Sequence, residues 1–175
     1  MLIDLTDILK NEDKVIRRET EPGFDSFESR LGRFPITCKC PIAVEIRNKG
    51  NRELQITGKG CVETIIPCSR CLDDVDTAIR LEFEKVVDMK LTQEERIAAL
   101  DEHDYIDGYN LDVDKLVYGE ILVNWPMKVL CKEDCKGICS ICGTNLNLKT
   151  CNCDSTDLDP RMAKIRDIFS KFKEV

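Results

Sequence analysis

The chain has 175 residues, of which 42% are hydrophobic and 34% are charged, and its formal net charge is -7. This composition is typical of a folded globular protein and argues against a disordered chain. The negative charge also argues against a protein that binds nucleic acid through bulk electrostatic attraction, so any RNA contact would have to be local.

The N-terminal sequence predicts a protein without a targeting signal. No run of eighteen apolar residues occurs, and MLIDLTDILK carries acidic residues where a signal peptide would have a basic region and an apolar core. We therefore expect a cytoplasmic protein. Thiols stay reduced in the cytoplasm, so closely spaced cysteines are expected to hold a metal more often than to form disulfides. The total of 11 cysteines is odd, which also argues against a complete set of disulfides.

The first half of the chain predicts an antiparallel meander of three strands. Apolar residues stand at every second position over residues 36–47, and a polar turn follows at residues 48–51. A long return strand is expected over residues 54–66, bent at its two glycines. Alternation over residues 78–87 predicts the third strand. Residues 1–8 fit either an edge strand or a short helical turn.

The second half predicts helices on either side of a cysteine-rich segment. Apolar residues recur at intervals of three and four from Leu111 to Trp125, with Asp112 or Asp114 as N-cap, and this helix is expected to cover the sheet. Asp159 and Pro160 begin a last helix over residues 160–172.

An acidic stretch lies between the third strand and the first of these helices. Thr92 and Glu95 form a capping-box pattern at its start, which predicts the beginning of a short helix. The remaining acidic residues up to position 114 are expected to form a surface loop.

Eight of the cysteines come as four close pairs, which predicts metal binding. They are Cys68 with Cys71, Cys131 with Cys135, Cys139 with Cys142, and Cys151 with Cys153. A zinc ion held by four thiolates needs two pairs, so the chain has ligands for one or two Zn²⁺ ions.

The order of the pairs along the chain predicts how they combine. The pairs 139/142 and 151/153 are neighbours and are expected to form one site, with Gly143 allowing the chain to turn. The pairs 68/71 and 131/135 would then meet in space. Two alternatives stay open: these four are ordinary reduced thiols, or the 131/135 pair joins the C-terminal ion. The other three cysteines, at 38, 40 and 61, fall on strand patterns and are expected to be small buried apolar residues.

All-thiolate sites leave no open position for water, so the predicted sites are structural and the chain is not expected to be an enzyme. His103 is the only histidine, which argues against a catalytic triad or a histidine-rich metal site. Two other functions stay open: a thiol redox protein that uses a Cys-x-x-Cys dithiol, and a zinc-dependent DNA-binding regulator. The redox function is disfavoured because Asp73 and Asp74 beside Cys71 would raise the thiol pKa.

Several short motifs together resemble the bacterial YceD family over most of residues 36 to 172. They are Pro67-Cys-Ser-Arg-Cys-Leu72, Leu130-Cys-Lys-Glu-Asp-Cys-Lys-Gly-Ile-Cys-Ser-Ile-Cys-Gly143, Asn145-Leu-Asn147, Cys151-Asn-Cys153 and Asp159-Pro-Arg161. The resemblance implies a factor without enzymatic activity that supports 23S ribosomal RNA accumulation and large ribosomal subunit biogenesis. It also implies that zinc aids folding in this branch of the family.

The sequence thus predicts an α+β protein: an antiparallel β-meander or partly closed barrel covered by helices, with a Cys-rich zinc-binding segment. We expect a core domain at 1–130 and a metal-binding segment at 131–175 whose C-terminal helix packs on the core. The expected partner is 23S rRNA or a basic ribosomal protein, and neither a membrane nor a small-molecule substrate is expected. The candidate RNA-binding residues are Arg70, Lys132, Lys136, Lys149 and Arg161. The acidic stretch would instead face a basic ribosomal protein.

Overall fold

The structure is a computed structural model that describes residues 1–12, 14–91, 95 and 104–153. The chain divides into two compact units. Unit 1 comprises Met1–Ile66 and Asp74–Val129, and unit 2 comprises Pro67–Asp73 together with the residues from Leu130 onward. The predicted division at residue 130 differs from this one in the loop at 67–73, which the structure groups with the C-terminal residues.

The described residues form mainly antiparallel β-structure with two helices. The strands are β1 Leu2–Asp4, β2 Val15–Thr20, β3 Ser26–Ser29, β4 Gly32–Lys39, β5 Ile42–Asn48, β6 Glu53–Pro67, β7 Asp74–Asp88, β8 Ile106–Asp107 and β9 Asn110–Asp112. The helices are α1 Thr6–Leu9 and α2 Val113–Val123.

The predicted meander is present as β5, β6 and β7. β5 pairs antiparallel with β6, with Ile46 opposite Ile56, and β7 also pairs with β6. The turn between β5 and β6 is held by Asn48, which is buried; its amide donates to the Ile8 carbonyl at 2.8 Å and its side-chain oxygen accepts from Gly50 N–H at 2.8 Å. A polar residue is tolerated there because its hydrogen bonds are made within the protein.

The strand predicted over residues 36–47 is interrupted. β4 pairs with β6 at Val62–Thr64, whereas β5 pairs with β6 at Leu54–Lys59. The two strands are separated by Cys40 and Pro41, and proline has no N–H to give to a ladder. The alternating pattern is therefore correct over β5, where Ile42, Val44 and Ile46 are buried, but the single strand it predicts is two strands.

One hydrophobic core fills unit 1, and it draws on the predicted alternating positions. Buried residues of the meander include Ile42, Val44, Ile46, Leu54, Ile56, Ile79, Leu81 and Phe83. Gly58 and Gly60 allow close packing here: a Cβ on Gly58 would lie 2.1 Å from the Phe83 ring, and one on Gly60 would lie 2.7 Å from Ile42. The glycines therefore leave room for side chains of the neighbouring strands.

The N-terminal residues form both of the structures that their pattern allowed. β1 precedes α1, and β1 belongs to a second, three-stranded sheet in the order β1-β9-β8. The surface loop predicted for the acidic stretch is wrong at its end, because residues 106–112 form the β8–β9 hairpin. Ile106 and Leu111 are buried there despite their acidic neighbours.

Helix α2 begins where the sequence predicts. The Asp112 side chain accepts hydrogen bonds from the N–H groups of Asp114 and Lys115, at 3.1 and 3.4 Å. Glu120 on this helix is 5% exposed and forms a 2.8 Å ion pair with Lys85 of β7. Covering of the sheet by helices and closure toward a barrel remain predictions.

Three predictions fall outside the described residues: the Thr92 helix start, the helix at 160–172 and the RNA contact at Arg161. Within the ranges that the structure describes, no helix has both the length and the apolar character needed to cross a bilayer.

Candidate metal centres

The loop between β6 and β7 brings the first cysteine pair together. Its backbone closes tightly, since Leu72 N–H donates to the Cys68 carbonyl at 3.0 Å and Cys68 N–H donates to the Asp73 carbonyl at 2.8 Å. Leu72 has a φ of 64°, which a residue with a side chain adopts only in a tight turn. The loop therefore holds Cys68 and Cys71 close to each other, and both are buried.

Cys68, Cys71, Cys131 and Cys135 form cluster A, in which all four sulfur atoms lie within 4.8 Å of one another. The sulfurs of Cys68 and Cys135 are 3.8 Å apart, and those of Cys71 and Cys131 are 3.4 Å apart. Zn–S bonds of about 2.3 Å in a tetrahedron place sulfurs about 3.8 Å apart, whereas a disulfide requires about 2.05 Å. The spacing fits four ligands around one ion.

Hydrogen-bond donors point at the sulfurs of cluster A. Cys68 Sγ accepts from the N–H groups of Cys131 and Arg70, at 3.4 and 3.5 Å, and Cys135 Sγ accepts from the Asn147 amide at 3.2 Å. Burial opposes ionisation of Cys68, but the N–H groups of Cys71, Arg70 and Cys131 outweigh it and lower its pKa to about 6. The Asn147 amide likewise lowers the pKa of Cys135. These donors stabilise thiolate ligands.

The remaining thiols of cluster A resist ionisation in the absence of a cation. Burial raises the pKa of Cys71, and the Asp73 carboxylate, whose Oδ2 lies 3.2 Å from Cys71 Sγ, raises it further. Four neighbouring thiolates repel one another unless a positive charge lies among them. A divalent metal ion supplies that charge, so the residues present fit such an ion.

Cys139, Cys142, Cys151 and Cys153 form cluster B, whose sulfurs also lie within 4.8 Å of one another. The turn at Cys139 is closed by Gly143 N–H, which donates to the Cys139 carbonyl at 2.9 Å, while Gly143 has a φ of 69°. The predicted turn at this glycine is present, and its backbone lies in the left-handed region. Cys139 is buried, Cys142 is exposed and the other two are half-buried.

The thiols of cluster B show the same opposed pKa values. The hydroxyl and N–H groups of Thr144 lower the pKa of Cys142 to about 6. The adjacent Cys142 thiol, together with burial, raises the pKa of Cys153 to about 12. As in cluster A, the set can ionise fully only around a cation.

Two asparagines that spacing alone does not single out connect the residues of unit 2. Asn147 accepts from Lys136 N–H at 2.8 Å while its amide donates to Cys135 Sγ. The Asn145 amide donates to Asp73 at 2.9 Å, and Asn145 forms an isolated β-bridge with Ile138. The motif Asn145-Leu-Asn147 thus joins the loop of cluster A to the segment between the clusters. Asparagines within a dense cysteine segment are the sequence feature that indicates such local bonds.

The candidate RNA-binding residues of unit 2 differ in their surroundings. Arg70 is exposed, yet its guanidinium donates to the Cys135 carbonyl at 2.7 Å, so it has a structural contact as well. Lys132, Lys136 and Lys149 are exposed. Lys132 lies 4.0 Å from Asp134, a separation that leaves it hydrated.

The prediction that Cys38, Cys40 and Cys61 are buried is wrong. Cys38 is exposed, and Cys40 and Cys61 are only half-buried. The alternation that predicts a strand does not say which face is covered; here Val62 and Thr64 turn inward and the cysteines lie on the other face.

Comparison with known proteins agrees with the motifs. The family model described as Large ribosomal RNA subunit accumulation protein YceD matches residues 56–169, a span that contains all eight clustered cysteines. The chain belongs to the YceD family. The resemblance carried by the cysteine motifs is therefore confirmed.

Two relatives of this YceD chain are uncharacterized mycobacterial proteins. One, from Mycobacterium leprae (strain TN), is 24% identical over 136 residues, which are 74% of this chain and 60% of that protein. Another, from Mycobacterium bovis (strain ATCC BAA-935 / AF2122/97), is 23% identical over 110 residues, which are 63% of this chain and 53% of that protein. The chain thus spans between about half and three fifths of their lengths. No solved structure matches this chain.

Proposed function

We propose that this YceD-family chain is a non-enzymatic, zinc-stabilised factor that supports 23S rRNA accumulation and large ribosomal subunit biogenesis. The observation that carries the proposal is the family match over residues 56–169, because the family's description names accumulation of the large ribosomal RNA. The two cysteine clusters lie inside the matched span. Unit 2 is therefore the part of the chain to which we assign the binding role.

The donor chemistry supports zinc as the metal. Each cluster offers four sulfur ligands, and tetrahedral all-sulfur sites suit Zn²⁺. The spacing of the cysteines is not that of a ferredoxin, which disfavours an iron–sulfur cluster. With four protein ligands the ion has no free position for a substrate or water, so zinc would shape the surface of unit 2 and perform no chemistry.

The surface of unit 2 supports a binding role. Its exposed lysines and Arg70 stand on loops that the ligand cysteines would fix, and fixed cationic donors are suited to phosphate oxygens. Exposed apolar side chains lie in the same unit: Leu72, Ile138, Ile141 and Leu148. Apolar side chains in such numbers favour contact with a partner. Because the cationic donors of the same unit suit phosphate oxygens, we infer that this partner is 23S rRNA.

A basic ribosomal protein is the second candidate partner, and it would contact unit 1. Two described residues of the acidic stretch already have partners: Asp112 caps helix α2, and Asp114 forms an ion pair with the Met1 amino group. Asp104 and Asp107 are exposed and remain available to a basic surface. Salt would weaken such a contact strongly.

Depletion of the protein from cells tests the proposal. The ratio of 23S to 16S rRNA should fall, and the wild-type chain should restore it. A chain with Lys132, Lys136 and Lys149 all replaced by Glu should restore it poorly, whereas a Lys49→Glu, Lys59→Glu, Lys90→Glu variant with the same charge change in unit 1 should restore it. An unchanged rRNA ratio after depletion would contradict the assembly role. Duplex-DNA binding with a steep salt dependence, or a metal-free dithiol that titrates near neutral pH, would favour the two other functions.

A further inference from the structure

Arg70 is exposed on unit 2, yet hydrogen bonds fix both its backbone and its side chain. Its guanidinium Nη1 donates to the Cys135 carbonyl at 2.7 Å. Its backbone N–H donates to Cys68 Sγ at 3.5 Å, and its carbonyl accepts from Ile138 N–H at 3.2 Å. The flat cationic guanidinium is therefore oriented before a partner binds.

Two exposed aliphatic side chains accompany Arg70. Leu72 follows it by two residues and is 64% exposed, and Ile138, which bonds to its carbonyl, is 38% exposed. The chain before Ile138 lies against Arg70, because a Cβ on Gly137 would lie 3.5 Å from Arg70 Cβ. We refer to Arg70, Leu72 and Ile138 as the Arg70 platform.

The backbone of Leu72 is strained, and burial of its side chain does not offset the strain. Its φ of 64° lies in the left-handed region, which a leucine adopts at a cost. Glycine would close the same turn without that cost. A residue that is strained and also exposed is typical of a binding site, so the Leu72 side chain itself points to a partner.

The charge of unit 2 limits its attraction for phosphates. Four thiolates outweigh the double positive charge of one Zn²⁺, so each cluster would be an anion once loaded. The charged side chains nearly balance among the described residues of unit 2, where the cations are Arg70, Lys132, Lys136 and Lys149 and the carboxylates are Asp73, Glu133 and Asp134. Contacts with parts of the RNA other than phosphate therefore have to supply affinity.

We propose that the Arg70 platform binds an unpaired RNA base, which stacks on the Arg70 guanidinium and packs against Leu72 and Ile138. This inference rests on the proposed rRNA contact and narrows it to unpaired nucleotides. In an A-form duplex the base faces are hidden in the stack, whereas loops, bulges and ends can present them to a protein. A guanidinium plane stacks on such a base, and the aliphatic side chains cover apolar surface beside it.

Footprinting of a transcript of the organism's own 23S rRNA by the full, zinc-loaded chain tests the proposal. Hydroxyl radicals cleave paired and unpaired nucleotides alike and so locate the bound protein. Dimethyl sulfate on the free transcript identifies its unpaired bases. The footprint should include unpaired nucleotides, and its titration gives the affinity of each variant.

Two substitutions test the platform while its charge and its turn are kept. Arg70→Lys keeps the positive charge but loses the flat face, and Leu72→Asn keeps a residue that tolerates the left-handed region. Each should weaken binding by about fivefold or more, because the base loses a stacking or packing partner. Leu31→Asn is the matched control, since Leu31 of unit 1 is 65% exposed, and it should leave the affinity unchanged.

The zinc content of each variant shows whether unit 2 is intact. If Arg70→Lys loses zinc, Leu72→Asn decides the result alone. A footprint confined to duplex nucleotides would overturn the proposal, and so would an affinity that neither substitution lowers. Absence of any footprint from the wild-type chain would instead contradict the rRNA contact on which the proposal rests.

Discussion

The carbonyl oxygen of Arg70 lies 3.1 Å from the position that a Cβ on Gly137 would occupy. The same oxygen accepts a 3.2 Å hydrogen bond from Ile138 N–H. Gly137 also has a φ of 79°, in the left-handed region that favours glycine. The packing of cluster A on the segment after Cys135 thus requires a residue without a side chain at this position.

Gly137→Ala should therefore speed the loss of zinc from cluster A. The added methyl group has to push the Arg70 backbone away, and Arg70 N–H is one of the donors to Cys68 Sγ. Gly143→Ala is the matched control, because its φ of 69° gives similar strain while nothing lies within 4 Å of its Cβ position. Zinc release to a chromogenic chelator measures the difference, with both variants made in a chain that carries Cys139→Ser and Cys142→Ser so that only cluster A holds zinc. Equal release rates from both variants would show that contact with Arg70 plays no part.

Asn147→Asp should lower the zinc affinity of cluster A. The substitution keeps the acceptor for Lys136 N–H but replaces the amide that donates to Cys135 Sγ with a negative charge. Asn152→Asp adds the same charge between Cys151 and Cys153 and should spare cluster A. Competition with a chelator of known affinity measures the effect, which we expect at roughly tenfold or more.

The ion pair between Lys85 and Glu120 should respond asymmetrically to substitution. The Glu120 side chain is 7% exposed whereas that of Lys85 is 34% exposed. Water therefore cannot hydrate the Glu120 carboxylate once Lys85 is removed, but it can hydrate the Lys85 ammonium once Glu120 is removed. Lys85→Met should cost about 3 kcal/mol, Glu120→Met clearly less, and the double variant should regain stability. Urea unfolding at neutral pH measures all three. Equal costs for the two single variants would contradict the assigned burial.

Two glycines of unit 1 should give opposite effects when changed to alanine. Gly58→Ala should destabilise the protein, because its Cβ would lie 2.1 Å from the Phe83 ring and the ring would have to move. Gly119→Ala lies within α2, meets no atom within 4 Å, and should stabilise the helix by up to about 1 kcal/mol. Thermal denaturation measures both. A destabilised Gly119→Ala variant would contradict the described environment of α2.

The sequence was most informative where one physical constraint acts along a whole element. The two-residue period located β5, β6 and β7 because one face of each strand is buried, and the N-cap role of Asp112 follows from the preference of helix starts for a short acceptor side chain. Cysteine spacing identified the pairs that form clusters A and B in the structure, because chelation of one ion requires ligands that lie close together.

Other features depend on contacts that a linear pattern does not contain. The β8–β9 hairpin is only a few residues long and acidic, and its pairing with β1 involves residues distant in the sequence. The bulge between Ile36 and Cys38 changes which face of β4 is covered, and Cys61 lies on the face of β6 opposite to buried Val62. Alternation alone therefore does not give the exposure of the cysteines at 38, 40 and 61. The hydrogen bonds of Asn145 and Asn147 are specific to the folded loops of unit 2.

Zinc content per chain tests most directly the central claim that clusters A and B each hold one structural ion. Elemental analysis of reduced protein, purified and washed with a weak chelator, should give two zinc ions per chain. Cys68→Ser with Cys71→Ser should remove one of them, and Cys139→Ser with Cys142→Ser the other. A reduced wild-type chain that contains no metal, and whose unit 2 stays folded in a strong chelator, would contradict the claim.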